Sequence, residues 1–182
     1  GFELYIIKKD DLLNIYSFRN YLLKNKITIL WLTAPLFNQL CEEDPSIFNS
    51  VNTLLTGGDV LSPKHINMAK TFNPNLTIIN GYGPTEITAC CSNKLVTASD
   101  DINIGAPNPN VQIYILDKFL IPCPIGVPGE IFVGGVGVSN GYINDSVKTS
   151  AAFLKNAFLN GNMYRTGDIG KFNKIGEIEY IG

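Results

Sequence analysis

The chain is predicted to be an α/β protein: a parallel-sheet α/β half followed by a small β-rich, barrel-like lobe. Two textures in the sequence point there. From Leu4 to about Asn80, β-branched apolar runs alternate with segments whose apolar residues recur every three to four positions. That order implies a mainly parallel sheet with covering helices. From Ile102 onward, glycine and proline punctuate short strand-like runs, as in small antiparallel or barrel-like lobes. The division is expected at residues 1–100 and 101–182. With 182 residues and 45% hydrophobic side chains, the chain can bury a substantial core.

The elements follow in order. Leu4 to Ile7 reads as a strand. Asp11 to Leu23 reads as a helix, because Leu12, Ile15, Phe18 or Arg19, and Leu22 recur at three to four residues behind aspartates suited to an N-terminus. Ile27 to Leu32 is a strand, and Pro35 suits the first turn of a helix running towards Glu43. Val51 to Leu55 is another strand. Pro63 to Phe72 is a helix with Ser62 as its cap, and Leu76 to Ile79 is a buried strand. In the second half, strands are expected at Gln112 to Leu116, Glu130 to Val133, Gly170 to Asn173 and Glu177 to Ile181. The last two form a hairpin around Lys174, Ile175 and Gly176, and one helix falls near Val147 to Leu154.

Three segments carry chemistry. Asn80 to Glu86, N-G-Y-G-P-T-E, places two glycines around a tyrosine directly after a strand, so the backbone can turn beside a ligand. Thr85 offers a hydroxyl to a phosphate oxygen, and Glu86 offers a hard carboxylate to magnesium. The alternative is a surface turn whose Thr-Glu pair caps a short helix. Tyr164 to Asp168, Y-R-T-G-D, puts an aspartate after a Thr-Gly turn, where it could accept from two neighbouring hydroxyls, as on a ribose. An ordinary turn aspartate is the plain alternative. Gly129 to Tyr142, G-E-I-F-V-G-G-V-G-V-S-N-G-Y, has glycine spacing suggestive of a dinucleotide loop. Val136, Val138 and Tyr142 continue a β-rich texture where that loop would need a helix, so it reads as a strand and bulged turn.

Composition excludes several classes. The formal net charge is −2, and Arg19 and Arg165 are the only arginines, so no basic face announces nucleic acid. No apolar run reaches membrane-spanning length, and Gly1 to Lys9 lacks the form of a signal peptide. The chain is read as cytoplasmic. Cys41, Cys90, Cys91 and Cys123 lack paired C-x-x-C spacing, with only His65 as an imidazole partner, and read as reduced thiols.

Taken in order and spacing, these segments resemble the adenylation domain of nonribosomal peptide synthetases, within the adenylate-forming superfamily. N-G-Y-G-P-T-E, G-E-I-F-V-G-G-V-G-V-S-N-G-Y, Y-R-T-G-D and G-E-I-E-Y-I-G match its core motifs. Leu54 to Pro63, L-L-T-G-G-D-V-L-S-P, matches the segment before them. The resemblance implies nucleotide-binding roles for Gly58 and Asp59 as backbone lining, Asn80 at the adenine amino group and Tyr82 stacked on the base. It also implies Asp168 at the ribose hydroxyls and Tyr180 closing the site. Thr85 would touch the α-phosphate and Glu86 would hold magnesium, as the catalytic pair. The implied reaction is ATP-dependent formation of an aminoacyl adenylate. Its product passes to the phosphopantetheine thiol of a peptidyl carrier domain, beside a neighbouring condensation domain.

The resemblance also suggests a substrate. Trp31, Leu55, Gly57, Gly81, Ala89 and Cys90 occupy the family's side-chain pocket positions, and none is charged. A small apolar amino acid is implied, valine-like above isoleucine or an unbranched residue, although Ala89-Cys90 departs from the commoner Thr-Phe. Trp31 and Leu55, on expected buried strands, could instead be plain core. Ser139-Asn140 stands where the family usually has Ala-Arg. The family's phosphate loop, its amine-binding aspartate, the hinge and the C-terminal subdomain with its lysine fall outside these residues. The isolated chain is therefore expected to be inactive. A D-alanine carrier-protein ligase or an acyl-CoA synthetase would share the nucleotide motifs, and a degenerate nucleotide-binding or interaction module is the non-catalytic alternative.

Overall fold

The computed structural model describes residues 1, 3–97 and 102–182. The expected division at 100/101 falls outside those residues. The chain folds as two compact units, Gly1–Ile79 with Leu95–Ile102, and Asn80–Lys94 with Asn103–Gly182.

In the first unit the N-terminal expectations are partly overturned. Leu4 to Ile7 forms no strand, and Leu4 and Ile6 are 89% and 83% exposed. Apolar, β-branched character makes a strand only where a partner edge supplies hydrogen bonds. The single helix expected at 11–23 is two helices, α1 (Lys9–Leu13) and α2 (Ile15–Lys24). Asn14 separates them: its backbone is extended, and its side chain accepts from the Ser17 amide at 2.9 Å. An asparagine that caps the next helix must leave helical geometry itself, so the run divides there. Phe18 and Leu22, on the expected face, are buried.

Strand β1 (Ile29–Thr33) leads into α3 (Ala34–Glu43), with Pro35 in its first turn as expected. Strand β2 (Thr53–Gly57) pairs in parallel with β1, setting Trp31 opposite Leu55 and Thr33 opposite Gly57. Helix α4 (Pro63–Phe72) has the expected bounds, but Ser62 makes no side-chain capping bond. Strand β3 (Thr77–Tyr82) follows β2 in the sheet. The core gathers under one face of these strands. Phe37 and Phe48 are fully buried with ring centroids 5.6 Å apart, among Leu54, Ile66 and Ile78.

The second unit begins with the end of β3, which reaches Tyr82, so N-G-Y continues the strand and does not turn. Strand β4 (Ser92–Leu95) and the short β5 (Ala106–Pro107) pair antiparallel beside it. A second, antiparallel sheet follows from β6 (Val111–Leu116), β7 (Gly129–Gly135), β8 (Phe153–Lys155), β9 (Asn162–Phe172) and β10 (Ile178–Tyr180). Its order is β10-β9-β7-β6, with β8 also on β9. Helix α5 (Ser146–Ala152) precedes β8. The β9–β10 hairpin is the expected one, turning through Lys174, Ile175 and Gly176. Gly176 has φ +82°, which a side chain would resist. The core is built from alternating inward residues, Ile115, Ile131, Val133, Tyr164 and Ile178. Strand β7 ends in a turn at Gly135, as the rejection of a dinucleotide loop requires.

Candidate functional site

Strand β9 corrects one expectation and explains a site. Y-R-T-G-D lies inside β9, not on a turn. Glu130 pairs with Ile169 and Phe132 with Arg165, so one residue of β7 faces three of β9. Thr166, Gly167 and Asp168 form the resulting bulge, with Gly167 at φ +82°. Thr166 Oγ1 donates to the Ile131 carbonyl at 2.8 Å and accepts from the Asp168 amide at 3.0 Å, which fixes the bulge. Arg165 holds it from outside through a bidentate pair with Glu130, both contacts 2.8 Å.

The bulged aspartate meets the tyrosine of the first motif. Tyr82 Oη donates to Asp168 Oδ2 at 2.6 Å, across 86 residues of sequence. Burial, followed by that hydrogen bond, pushes the Tyr82 phenol well above its ordinary value, so it remains a donor. Tyr180, at the end of β10, packs its ring 6.3 Å from Tyr82 at a 48° tilt and stays 39% exposed. Asn80, two residues before Tyr82, is buried. Its Nδ2 donates to the Asn103 carbonyl at 2.9 Å, which commits the amide nitrogen and assigns Oδ1 as the acceptor side. Asn103 is fastened in turn: its side chain donates to Glu177 at 2.9 Å, and Glu177 takes both short bonds of Lys94, at 2.6 and 2.7 Å.

Thr85 and Glu86 lie in a three-residue 3₁₀ helix, Thr85–Ile87, whose N-cap position is Pro84 and which has no side-chain capping bond. Thr88 and Ala89 follow in the left-handed region at φ 62° and 68°. Thr85 is exposed and Glu86 half-buried. Glu86 Oε1 accepts from Tyr142 Oη at 2.7 Å, and Tyr142 Oη lies 3.3 Å from Tyr164 Oη. The Tyr142 hydrogen bond holds the Glu86 carboxyl below the usual glutamate range. Among the described residues no group of three or more His, Cys, Asp or Glu could hold a metal. One carboxylate beside an exposed hydroxyl nevertheless fits magnesium, which keeps waters and takes its other oxygens from phosphates. An open groove of about 510 Å³ is lined by Glu130, Tyr142, Lys148, Arg165, Thr166 and Gly167, and not by Thr85, Glu86 or Asp168.

The six positions expected to choose a substrate fall in both units. In the first, Trp31 is 61% exposed opposite a half-buried Leu55, and Gly57 is buried at the end of β2. Gly58 and Asp59 follow it, both exposed, with Gly58 at φ +78° and Asp59 accepting from the Val60 amide at 2.7 Å. In the second, Gly81 and Cys90 are neighbours: a Cβ on Gly81 would sit 2.9 Å from Cys90 Sγ. Burial raises the Cys90 thiol above its ordinary value. Ala89 is exposed. Sequence reasoning missed Thr166 and Asn103, and it took Tyr142 only as β-lobe packing, although Tyr142 closes a motif that had been singled out.

The chain belongs to the AMP-binding enzyme family, whose model matches residues 1–143. It is 46% identical over 185 aligned residues to Tyrocidine synthase 3 of Brevibacillus parabrevis, and 41% identical to Surfactin synthase subunit 2 of Bacillus subtilis. Both alignments take in 100% of this chain but only 3% and 5% of those proteins, so the chain spans a small part of its relatives' length. A solved NRPS protein containing adenylation and PCP domains aligns with TM-score 0.87 and 34% identity, over 93% of this chain and 36% of that one. The N-terminal subdomain of Klebsiella oxytoca NpsA, at 24% identity and TM-score 0.82, shares the fold over 93% of this chain and 45% of its own.

Proposed function

We propose that this chain is part of an amino-acid-activating adenylation domain that forms an aminoacyl adenylate from ATP and an apolar amino acid, valine-like before others. The observation that supports this most is the meeting of Tyr82, Asp168 and Tyr180 in the same unit as Glu86, together with 34% identity to an NRPS protein containing adenylation and PCP domains. Tyr82 offers a ring to a base, and Asn80 offers Oδ1 to an exocyclic amine. Asp168 has two carboxylate oxygens. One takes the Tyr82 hydroxyl, and the other is the proposed acceptor for ribose hydroxyls.

In the proposed reaction an oxygen of the amino-acid carboxylate attacks the α-phosphorus of ATP. The bond to the bridging oxygen breaks and pyrophosphate leaves. Thr85 would donate its hydroxyl to an α-phosphate oxygen. Glu86, ionised at neutral pH, would hold magnesium, which when bound offsets charge on the phosphate oxygens. Positioning and charge neutralisation carry most of such a barrier reduction. Transfer of the aminoacyl group to a carrier phosphopantetheine thiol, with a condensation domain nearby, completes the proposal. The absence of charge at Trp31, Leu55, Gly57, Gly81, Ala89 and Cys90 supports the apolar substrate.

Amino-acid-dependent ATP–pyrophosphate exchange by the complete polypeptide carrying these residues is the test, across a panel of amino acids. Exchange with valine or another small apolar residue is expected. Strong preference for an acidic or basic amino acid would refute the substrate reading. The isolated 182 residues are expected to show no exchange, and measurable exchange by them would refute that part.

A further inference from the structure

We propose that Tyr142 is a positioning residue for Glu86, and that the glycine-rich segment ending in it is a brace for the metal-binding turn. This rests on the assignment of Glu86 to magnesium. The brace has three points. The Ser139 amide donates to the Glu86 carbonyl at 2.8 Å, Thr88 Oγ1 donates to the Gly137 carbonyl at 2.9 Å, and Tyr142 Oη donates to Glu86 Oε1 at 2.7 Å. The first fixes the backbone of the turn, the second the side chain of the residue that ends it, and the third the carboxylate itself.

Glycine leaves the approach tight at Gly137 and is required at Gly141. A Cβ on Gly137 would lie 3.0 Å from the Ile87 carbonyl oxygen. Gly141 stands at φ +126°, where a Cβ would come within 2.3 Å of Thr149. Thr149, on α5, then holds the tyrosine: its Oγ1 accepts from the Tyr142 amide at 2.9 Å and donates to the Asp145 carbonyl at 2.7 Å. The Tyr142 ring stands edge-on against Phe153 at 5.4 Å, and Phe153 lies 5.0 Å from Tyr164. The ring is therefore fixed by packing, and its hydroxyl meets the Glu86 carboxylate at 2.7 Å and the Tyr164 hydroxyl at 3.3 Å. With Oε1 held by Tyr142, the carboxylate is kept in one orientation before any cation arrives, which lowers the ordering cost of binding it.

Magnesium makes this separable from a general structural role. ATP affinity of the complete polypeptide is measured by titration calorimetry with saturating magnesium and again with EDTA. Tyr142→Phe keeps the ring and removes the hydroxyl. It is expected to reduce the gain in affinity that magnesium gives by about tenfold, the size of a hydrogen bond to a charged group, and to leave the EDTA value unchanged. An undiminished gain, or an equal fall in both conditions, would overturn the proposal. Glu86→Gln separates the two levels. If it keeps the full gain, the assignment of Glu86 fails; if it loses the gain while Tyr142→Phe does not, only the role of Tyr142 fails.

Discussion

Asp168→Asn perturbs the proposed ribose site with little change in shape. In the native chain Asp168 Oδ2 accepts from Tyr82 at 2.6 Å, and the bulge that carries it is fixed by Thr166, which Asn leaves in place. Asparagine still has one acceptor, and the half-buried Tyr82 hydroxyl is expected to claim it, because a partly buried donor left unsatisfied is costly. The amide nitrogen then faces the ribose, where the native residue would present a charged acceptor. The loss is about one charge-assisted hydrogen bond, roughly 1.5–3 kcal/mol, or about a 10- to 150-fold weaker ATP complex. Calorimetric titration of the complete polypeptide with ATP reads this directly, with far-UV circular dichroism to establish that the variant is folded. A change below about threefold in a folded variant would refute the ribose assignment.

Other expectations follow from the same geometry. Phe37→Ala empties a fully buried ring site against Phe48 and should cost about 3–5 kcal/mol, seen as a lower denaturant midpoint at constant slope. Gly105→Ala forces a Cβ to 1.9 Å from the Asn93 carbonyl at φ +73°, so it should destabilise by more than about 2 kcal/mol and lower the melting temperature. Glu177 is held below its ordinary 4.5 chiefly by Lys94, so its folded form favours ionisation more than its unfolded one. That stability is present above pH 4.5 and is lost as pH falls through the lower folded value. Lys94→Met should therefore flatten the acid limb of a stability-against-pH curve, and an unchanged limb would show that the pair contributes nothing there.

Much of the fold was legible because its signals were local. Pro35 and Pro63 mark helix starts that the structure keeps, and the β9–β10 hairpin follows from a turn centred on Gly176. What failed depended on distant partners. Leu4 to Ile7 has strand composition without a strand to pair with, and Asn14 breaks a periodic run by capping with its side chain, which periodicity does not register. The site shows the same contrast. Asn80, Tyr82, Glu86 and Asp168 were visible as residue types in motifs. The bulge that brings Asp168 to Tyr82 comes from register against β7, and the Tyr142–Glu86 bond joins residues 56 apart, so neither leaves a local pattern. Trp31 was left open between core and pocket, and it is 61% exposed within these residues.

A crystal structure of the complete polypeptide with bound AMP tests the account most directly. The expected result is the adenine ring against Tyr82, with Asn80 Oδ1 at its amino group and both ribose hydroxyls within about 3 Å of Asp168. A nucleotide bound elsewhere, with the Tyr82–Asp168 pair untouched, would contradict it.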